Sequence, residues 1–394
     1  MSMSERNLAA GEAGNGSWAD WAEPKLAAPA RLGSYAPADV VFLLKDLSDV
    51  NLERGTEERE EAIQTGTHYS EMLPQEYQPT EEYVQLYRAA LEQSAEEVAL
   101  AAGVVSELIV RKRGRKLVLV SLARAGTPVG ILIKRYLQQV HQLDVPHYSI
   151  SIIRGKGIDT NALKYILQQH GTETEIQFVD GWTGKGAIRR VLVESCRQFA
   201  ETYGVQLNDD LAVLADPGRC SDTYGTRADF LIPSACLNST VSGLMSRTVL
   251  RDDLIGEDDF HGSKYYKHWL EQDLSNVFVD TISAYFEHVV LQAQAQAEQL
   301  LKQPEPADWQ GMEDIQGIQE QYGLRDINLI KPGVGETTRV LLRRVPWKIL
   351  INREDNPHLR HILLLARERG AMVEVKSEMT YACCGIIKPR EGDC

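Results

Sequence analysis

The stretch Ile176–Ile188, with the sequence IQFVDGWTGKGAI, decides the fold class of this chain. The apolar run from Ile176 to Val179 predicts a buried strand that ends near Asp180. Thr183–Gly186 is a glycine-rich turn, and from Ala187 onward apolar residues recur every three or four positions, which predicts a helix. In such a unit the turn amides and the helix N-terminus face an anion together. The sequence therefore predicts an open α/β sheet with a ligand site at the carboxyl end of this strand.

A second stretch of the same kind is Ser121–Gly130, SLARAGTPVG, which follows the apolar strand Leu117–Val120. Its loop is built from small residues, so a ligand can approach the main chain closely. Arg124 lies within that loop and can give a charge-assisted hydrogen bond to a phosphate. The loop residues are Ala123, Arg124, Ala125 and Gly126. Two such loops predict a polyphosphate-binding edge of one sheet.

Two further loops follow predicted strands. His147–Ile153 predicts a strand that ends in Arg154 and Lys156, which alternate with glycines. Leu211–Ala215 predicts another strand, followed by an irregular loop suited to base or substrate recognition. The charged candidates in that loop are Asp216, Arg219 and Arg227.

The charge balance differs along the chain. The 394 residues carry a formal net charge of −14, whereas 321–394 contain 13 Lys and Arg against 9 Asp and Glu, or +4, which leaves −18 for the rest. An acidic body with a basic tail predicts two different partners. No apolar run reaches the length of a membrane span, no secretory signal is evident, and the six cysteines do not form a disulfide framework. These features predict a cytoplasmic protein with no membrane partner.

The strand that ends in Asp180, with the turn Thr183–Gly186, resembles the phosphoribosyl-diphosphate motif of type I phosphoribosyltransferases. The resemblance implies that Asp180 holds ribose and that the turn holds the 5′-phosphate. It also implies Mg²⁺, held mainly by the substrate diphosphate, and a homodimer. The acceptor stays open between a base, a metabolite and RNA. Gly181 stands where that family has a second acidic residue.

We therefore expect an α/β protein with a type I phosphoribosyltransferase-like parallel sheet that transfers phosphoribose from phosphoribosyl diphosphate. The catalytic candidates are Asp180, Arg124 and Lys185. The substrate-binding candidates are Ala123, Ala125, Gly126, Arg154, Lys156, Thr183, Gly184, Gly186, Asp216, Arg219 and Arg227.

Two alternatives remain open. The first is a non-catalytic, nucleotide-sensing RNA-binding regulator, which the glycine at position 181 supports. The second is a cysteine hydrolase that uses Cys220 or Cys236, since His261 follows both in the chain and a Cys/His pair can form a nucleophile.

The small C-terminal segment has an α/β rhythm of its own and resembles the Pelota and L7Ae-like RNA-binding fold. In that family a glycine loop opens a helix that meets a kinked RNA backbone. Amides at a helix N-terminus and arginines suit phosphate, and a polar side chain can read a base edge. The matching residues are Lys331, Gly333, Gly335, Glu336, Thr337, Thr338, Arg339, Arg343 and Arg344.

The predicted organisation has four segments. Residues 1–38 are rich in Ala, Gly, Ser and Pro and predict a flexible arm that docks through Trp18 and Trp21. Residues 39–301 form the phosphoribosyltransferase-like domain, 302–320 a linker, and 321–394 the Pelota-like domain. This arrangement resembles bacterial proteins encoded among tellurite-resistance and stress genes, some of which carry the label of a StiP-type cysteine protease.

Overall fold

The computed structural model describes residues 18–55, 58–59, 61–62, 65–76 and 78–389. Residues 1–17 of the predicted flexible arm lie outside this part. The α-helices of the described part are α1 (Trp18–Trp21), α2 (Glu81–Arg113), α3 (Gly126–His141), α4 (Thr160–His170), α5 (Ala187–Tyr203), α6 (Ser275–Ser283), α7 (Phe286–Lys302), α8 (Gln310–Gln321), α9 (Val334–Arg343) and α10 (Arg360–Glu368).

The strands of the larger domain are β1 (Val41–Phe42), β2 (Lys45–Asp46), β3 (Glu53–Arg54), β4 (Leu73–Pro74), β5 (Leu117–Ala123), β6 (His147–Ile153), β7 (Gly157–Ile158), β8 (Glu175–Trp182), β9 (Leu211–Ala215), β10 (Thr223–Thr226) and β11 (Gly262–Ser263). Those of the smaller domain are β12 (Ile330–Pro332), β13 (Pro346–Ile351), β14 (Met372–Val375) and β15 (Cys383–Ile387).

The main sheet has the strand order β1-β6-β5-β8-β9-β10, and all of these neighbours are parallel. From β5 onward, and apart from the short antiparallel β7, the order is second, first, third, fourth, fifth, as in flavodoxin-like sheets. The central strand β5, LVLVSLA, is buried on both faces because its side chains form an almost continuous apolar run. The predicted α/β class with a parallel sheet and a second, smaller sheet domain is confirmed. The narrower phosphoribosyltransferase type does not follow from it.

The long helix α2 covers one face of this sheet and packs along α7. A Cβ atom on Gly103 would lie 2.8 Å from the Cβ atom of Ala293, so the glycine allows the two helices to approach closely. Two glutamates in the first turn of α2 and three basic residues in its last turn complement the helix dipole.

The smaller domain has a four-stranded sheet in the order β12-β15-β13-β14. Helix α8 begins inside the stretch 302–320, which the sequence predicts to be a linker, and ends one residue beyond it. It is a structured element because Ile315 and Ile318, three residues apart, are both buried in the core of this domain beside Tyr381. The connection without helix or strand is therefore restricted to 303–309.

The N-terminal tryptophans lie against α5. The indole N–H of Trp21 donates a hydrogen bond to the carbonyl of Tyr203 at 3.2 Å, and its ring meets that of Phe199 edge-on at 6.1 Å. Trp18 packs edge-on against Trp21 at 4.5 Å. No helix within the described ranges is long and apolar enough to cross a membrane.

Candidate active site

The loops after β5 and β8 lie side by side at the carboxyl edge of the sheet, where the strand order reverses. A Cβ atom on Gly126 would lie 2.5 Å from the carbonyl oxygen of Val179, and one on Gly181 would lie 3.1 Å from that of Ala125. The glycine at the second acidic position therefore leaves room for the neighbouring loop. Ligand sites of such sheets form at this reversal.

Asp180 is half-buried at this edge and has no cationic partner among the described residues. Its Oδ1 accepts a hydrogen bond from the backbone N–H of Gly181 at 2.7 Å. Burial raises the pKa of this carboxyl to about 7, and the Gly181 hydrogen bond only partly opposes that shift. A carboxyl of this kind is close to half-protonated at neutral pH and differs from an ordinary ionised surface aspartate.

Lys185 points out of the glycine turn towards the smaller domain. Its ammonium group donates to the carbonyl oxygens of Ile327 and Ile330 at 2.7 and 3.1 Å. Burial, followed by repulsion from Lys331, lowers its pKa to about 8. The structure therefore places this lysine as a contact between the domains.

The remaining turn residues pack against protein groups. Thr183 donates its hydroxyl to Asp216, and the carbonyl of Gly184 accepts a hydrogen bond from the Tyr381 hydroxyl at 3.3 Å. Gly186 has a φ of +68°, a conformation that favours glycine, and precedes the first residue of α5.

Asp216, fully buried after β9, organises the next loop. It accepts backbone N–H groups of Cys220 and Ser221 at 2.8 and 3.0 Å and an N–H of the Arg227 guanidinium at 2.5 Å. Together with the Thr183 hydroxyl, these contacts fix the loop that carries Cys220. The role of Asp216 in this arrangement is therefore to hold the backbone of the Cys220 loop in position.

The Cys220 thiol lies beneath the glycine turn and is only 1% exposed. It donates to the carbonyl of Gly218 at 3.2 Å and approaches that of Gly184 at 3.7 Å. Burial, reinforced by the Asp216 charge, raises its pKa to about 12, and the nearby Arg190 opposes this shift only in part. The thiol is therefore protonated at neutral pH in this arrangement.

Trp309, in the connection between the domains, covers this thiol. A Cβ atom on Gly186 would lie 2.3 Å from the Trp309 ring and 2.9 Å from the Cys220 sulfur, so both pack against the same glycine. The backbone N–H of Trp309 donates to the carbonyl of Arg219 at 3.0 Å, and the Arg219 side chain forms an ion pair with Asp308 at 2.7 Å. These contacts hold the covering segment in place.

The second cysteine candidate has a different setting. Cys236 is buried in a short 3₁₀ turn, Pro233–Cys236, and its carbonyl accepts a hydrogen bond from Arg343 at 3.3 Å. His261, the suggested partner, faces Ser151 at 2.8 Å instead. Across the described ranges, no histidine is hydrogen-bonded to either thiol. The structure therefore does not show the pairing of His261 with Cys220 or Cys236 that their order in the sequence suggested.

The cationic candidates at the edge divide into paired and unpaired groups. Arg124 forms an ion pair with Glu76 at 2.9 Å and donates to the carbonyl of Met245 at 2.9 Å. Arg154 and Lys156 are exposed in the turn between β6 and β7. Neither of these two makes an ion pair with another described residue. Ala123 and Ala125 flank Arg124, with Ala125 exposed at the mouth of its loop.

The predicted RNA-binding helix, α9, faces the larger domain over much of its surface. Gly333 abuts the Trp182 ring, since a Cβ atom there would lie 2.4 Å from it. The side chains of Thr337 and Thr338 are buried, and Arg339 donates to the carbonyl of Ala235 at 3.0 Å. Of the other candidates, Gly335, Glu336 and Lys331 are half-buried, Arg344 is exposed, and Arg343 donates a hydrogen bond to the side-chain oxygen of Asn238 at 3.3 Å.

Sequence reasoning did not find two residues of this site, Asp229 and Trp309. Asp229 is buried at the domain junction and accepts hydrogen bonds from the N–H groups of Val334 and Ala382 at 2.9 and 2.8 Å. Both residues act on partners far away in the chain, so no local pattern marks them. The aromatic residue at position 309, at the end of the proline-containing connection 303–309, was the one available signal.

The fold and the buried thiol define a two-domain α/β protein with a covered cysteine at the carboxyl edge of its parallel sheet. Residues 33–283 match the family described as "Tellurite-like stress resistance cysteine protease StiP", and residues 309–389 match the "PELOTA RNA binding domain". The chain belongs to the StiP family. A relative from Acinetobacter baylyi, "Cysteine protease StiP", is 35% identical over 348 residues, which span 85% of this chain and 88% of that protein.

Two solved structures overlap with the chain only loosely. One is a hypothetical protein from Neisseria gonorrhoeae with bound ppGpp, with 11% identity, 32% of this chain and 66% of that chain covered, and a TM-score of 0.20. The other is a C-DES mutant with glycine linked to its PLP cofactor, with 11% identity, 84% and 86% covered, and a TM-score of 0.24. At these TM-scores neither supports an argument about fold or ligand.

These findings correct the expected activity. The prediction of a phosphoribosyltransferase that uses phosphoribosyl diphosphate is wrong, because the matching family and the Acinetobacter relative are both named as cysteine proteases. Magnesium was expected only as a companion of phosphoribosyl diphosphate, so the reason for expecting it no longer holds. The error has a physical origin: a strand, a glycine turn and a helix recur in many α/β proteins and do not specify a reaction. The resemblance to stress-resistance proteins of the StiP type and to the Pelota domain is confirmed.

Proposed function

We propose that this protein is a cysteine-dependent hydrolase of peptide bonds and that Cys220 supplies its nucleophile. The observation that carries the assignment is the position of the thiol. Of the three cysteines within the family match, only Cys220 lies in a loop at the carboxyl ends of the parallel strands. Cys196 is buried within helix α5, and Cys236 is buried at the contact with α9.

The chemistry requires a thiolate. Its sulfur attacks the peptide carbonyl carbon, the amine leaves with a proton, and water then hydrolyses the resulting thioester and restores the thiol. With a pKa near 12, the Cys220 thiol is almost entirely protonated at neutral pH, and Trp309 and Gly186 shield it. The arrangement therefore corresponds to a covered form of the enzyme, which hydrolyses substrate after the connection between the domains moves.

Hydrolysis of a fluorogenic peptide library tests this proposal. The assay compares the wild type with Cys220→Ser and Cys236→Ser, each alone and combined with Trp309→Ala. We expect Cys220→Ser to abolish hydrolysis in both backgrounds and Cys236→Ser to retain it. Hydrolysis that survives Cys220→Ser, or its complete absence even after Trp309→Ala, would rule the assignment out.

A second function, RNA binding, is favoured by the match of residues 309–389 to the PELOTA RNA binding domain. Lys331 and Arg344 are cations of this domain that make no ion pair with a described residue, and the charge of Arg344 acts on Lys331. Binding of a fluorescein-labelled RNA hairpin with an internal loop tests this function. We expect the full chain to bind it and Lys331→Ala with Arg344→Ala to weaken binding. The homodimer and the cytoplasmic location stay predictions.

A further inference from the structure

The connection between the domains lies over the Cys220 loop as an extended segment. From Glu305 to Trp309 it has no helix or strand, and the exposure of its residues alternates at the end. Ala307 and Trp309 are half-buried, whereas Asp308 between them is exposed. A period of two is what an extended peptide shows when one of its sides lies on a surface. The segment therefore presents Ala307 and Trp309 to the larger domain.

The larger domain holds this segment largely through its main chain. The Arg227 guanidinium donates to the carbonyl oxygens of Glu305 and Pro306 at 2.8 and 3.4 Å. The backbone N–H of Ala307 donates to the side chain of Asp222 at 2.7 Å. Every peptide carries carbonyl oxygens, and nearly every residue an N–H group, so contacts of this kind recognise an extended peptide without regard to its sequence.

Side chains add selectivity at the last two positions. Asp308 forms an ion pair with the Arg219 guanidinium at 2.7 Å, and the carbonyl of Arg219 accepts the backbone N–H of Trp309 at 3.0 Å. The Trp309 ring packs against Gly186, and the Arg190 guanidinium lies over the ring at 5.4 Å from its centre. These contacts suit an acidic residue followed by an aromatic one.

The aromatic position is the one next to the proposed nucleophile. A Cβ atom on Gly186 would lie 2.3 Å from the Trp309 ring and 2.9 Å from the Cys220 sulfur. The ring and the sulfur therefore share one glycine as their neighbour. A peptide that replaces the segment and keeps an aromatic side chain at this position is held beside the thiol.

The groups that hold the segment are fixed by contacts that do not involve it. Arg227 also donates to the buried carboxylate of Asp216 at 2.5 Å and lies over the Tyr224 ring at 4.1 Å. The carbonyl of Asp222 accepts a hydrogen bond from the Lys112 ammonium group at 2.8 Å. These anchors stay in place when the segment leaves, so the groove is preorganised for another peptide.

We propose that the segment Glu305–Trp309 occupies the substrate groove of this protein in the manner of a substrate, and that the peptides it hydrolyses bind there extended, with an acidic residue followed by an aromatic one. This assignment rests on the hydrolase function proposed above and names its substrate class. The segment is then a tethered competitor that a substrate displaces, and its tether gives it a high effective concentration.

Fluorescence anisotropy of a fluorescein-labelled peptide with the sequence of residues 303–311, QPEPADWQG, tests the groove by binding alone. The protein is the full chain with Cys220→Ser and Trp309→Ala, which cannot consume the peptide and lacks its own ring. We expect this variant to bind the peptide, and to bind a version with alanine in place of the tryptophan about tenfold more weakly or worse. Cys220→Ser alone should bind the first peptide about tenfold more weakly as well, because its own segment competes.

A charge exchange tests the acidic position. A peptide with lysine in place of the aspartate should bind about threefold more weakly, the size of effect that a partly exposed ion pair allows. Adding Arg219→Glu to the protein should reverse this preference. The matched control is Arg197→Glu, which makes the same change of charge at an exposed position two turns further along α5 and should not reverse it.

The peptide library described above gives the second measurement. With Trp309→Ala, we expect the hydrolysed peptides to be enriched in an acidic residue followed by an aromatic one. Asp308→Lys is a second opened variant in case Trp309→Ala does not fold, because it opposes Arg219 from an exposed position and loosens the segment.

The outcomes separate the two proposals. If neither opened variant hydrolyses any peptide, the hydrolase function fails and the substrate groove fails with it. If peptides are hydrolysed through Cys220 but binding or cleavage is indifferent to the aromatic residue, the hydrolase stands and the groove is overturned. An unchanged charge preference in Arg219→Glu, or a reversal in Arg197→Glu as well, overturns the acidic position in the same way.

Discussion

The carboxylate of Asp229 accepts a hydrogen bond from the backbone N–H of Val334 at 2.9 Å, so a side chain of the larger domain caps the first turn of α9 in the smaller domain. The other carboxylate oxygen accepts the N–H of Ala382 at 2.8 Å. Amides at a helix N-terminus attract anions, and here the anion belongs to the protein itself. The two domains are therefore joined at the place where the Pelota resemblance predicted contact with RNA.

Replacing Asp229 tests this junction. Asp229→Ala leaves two buried amides without an acceptor, and we expect the free energy of unfolding to fall by about 2 kcal/mol. Urea denaturation followed by tryptophan fluorescence measures the change. Asp326→Ala is the control, because it removes an exposed cap that accepts the N–H of Asn328 at 2.8 Å and should cost clearly less. Equal losses in the two variants would contradict a special role for Asp229.

Asp180 gives a prediction about pH. The pKa of its carboxyl is about 7 in the folded protein and about 3.8 for the unperturbed group, because burial penalises the ionised form. The folded state thus binds the proton more tightly between these values, and the contribution of Asp180 to stability falls as the pH rises from about 4 to 7. Asp180→Asn keeps an acceptor for the Gly181 N–H and cannot ionise. Compared with its effect at pH 4, we expect the substitution to raise the free energy of unfolding at pH 8 by about 4 kcal/mol more, at about 1.4 kcal/mol for each pKa unit. Denaturation curves of both proteins at the two pH values check this, and an unchanged difference would contradict it.

The close approach of the two edge loops can be tested at Gly126. A methyl group there meets the carbonyl oxygen of Val179 at 2.5 Å, a distance that forces the backbone to move. We expect Gly126→Ala to destabilise the protein by about 2 kcal/mol. Gly317→Ala is the matched control, since the helical glycine at 317 faces open space and alanine there should stabilise by about 0.5–1 kcal/mol. Thermal melts followed by circular dichroism distinguish the two, and similar melting temperatures would refute the packing argument.

The sequence predicted the parts of this fold that depend on local patterns. The strands around Phe178 and Val120, the glycine turn and the helix after it follow from apolar periodicity and glycine spacing within short windows. The partners of the site residues could not be predicted in this way. Lys185 bonds to Ile327, and Trp309 covers Cys220, across separations that no local pattern records. Many of the groups that the sequence predicts to contact phosphate or RNA therefore contact other parts of the protein in the structure.

The covered thiol leads to the last prediction, made at Trp309. Removing its indole ring with Trp309→Ala opens the space beside Gly186 and lets water reach the sulfur of Cys220. Because burial is the main cause of the raised pKa of this thiol, solvent returns that pKa towards the ordinary value and increases the thiolate fraction. We expect alkylation of Cys220 by iodoacetamide at pH 8, resolved by peptide mass spectrometry, to accelerate about tenfold or more.

Trp347→Ala is the control, because that half-buried ring packs against Tyr322 at 5.9 Å within the smaller domain and should leave the rate unchanged. The other buried cysteines report on the integrity of the fold in the same spectra. Acceleration at every cysteine would mean general unfolding, and an unchanged rate at Cys220 would show that the ring is not what shields the thiol.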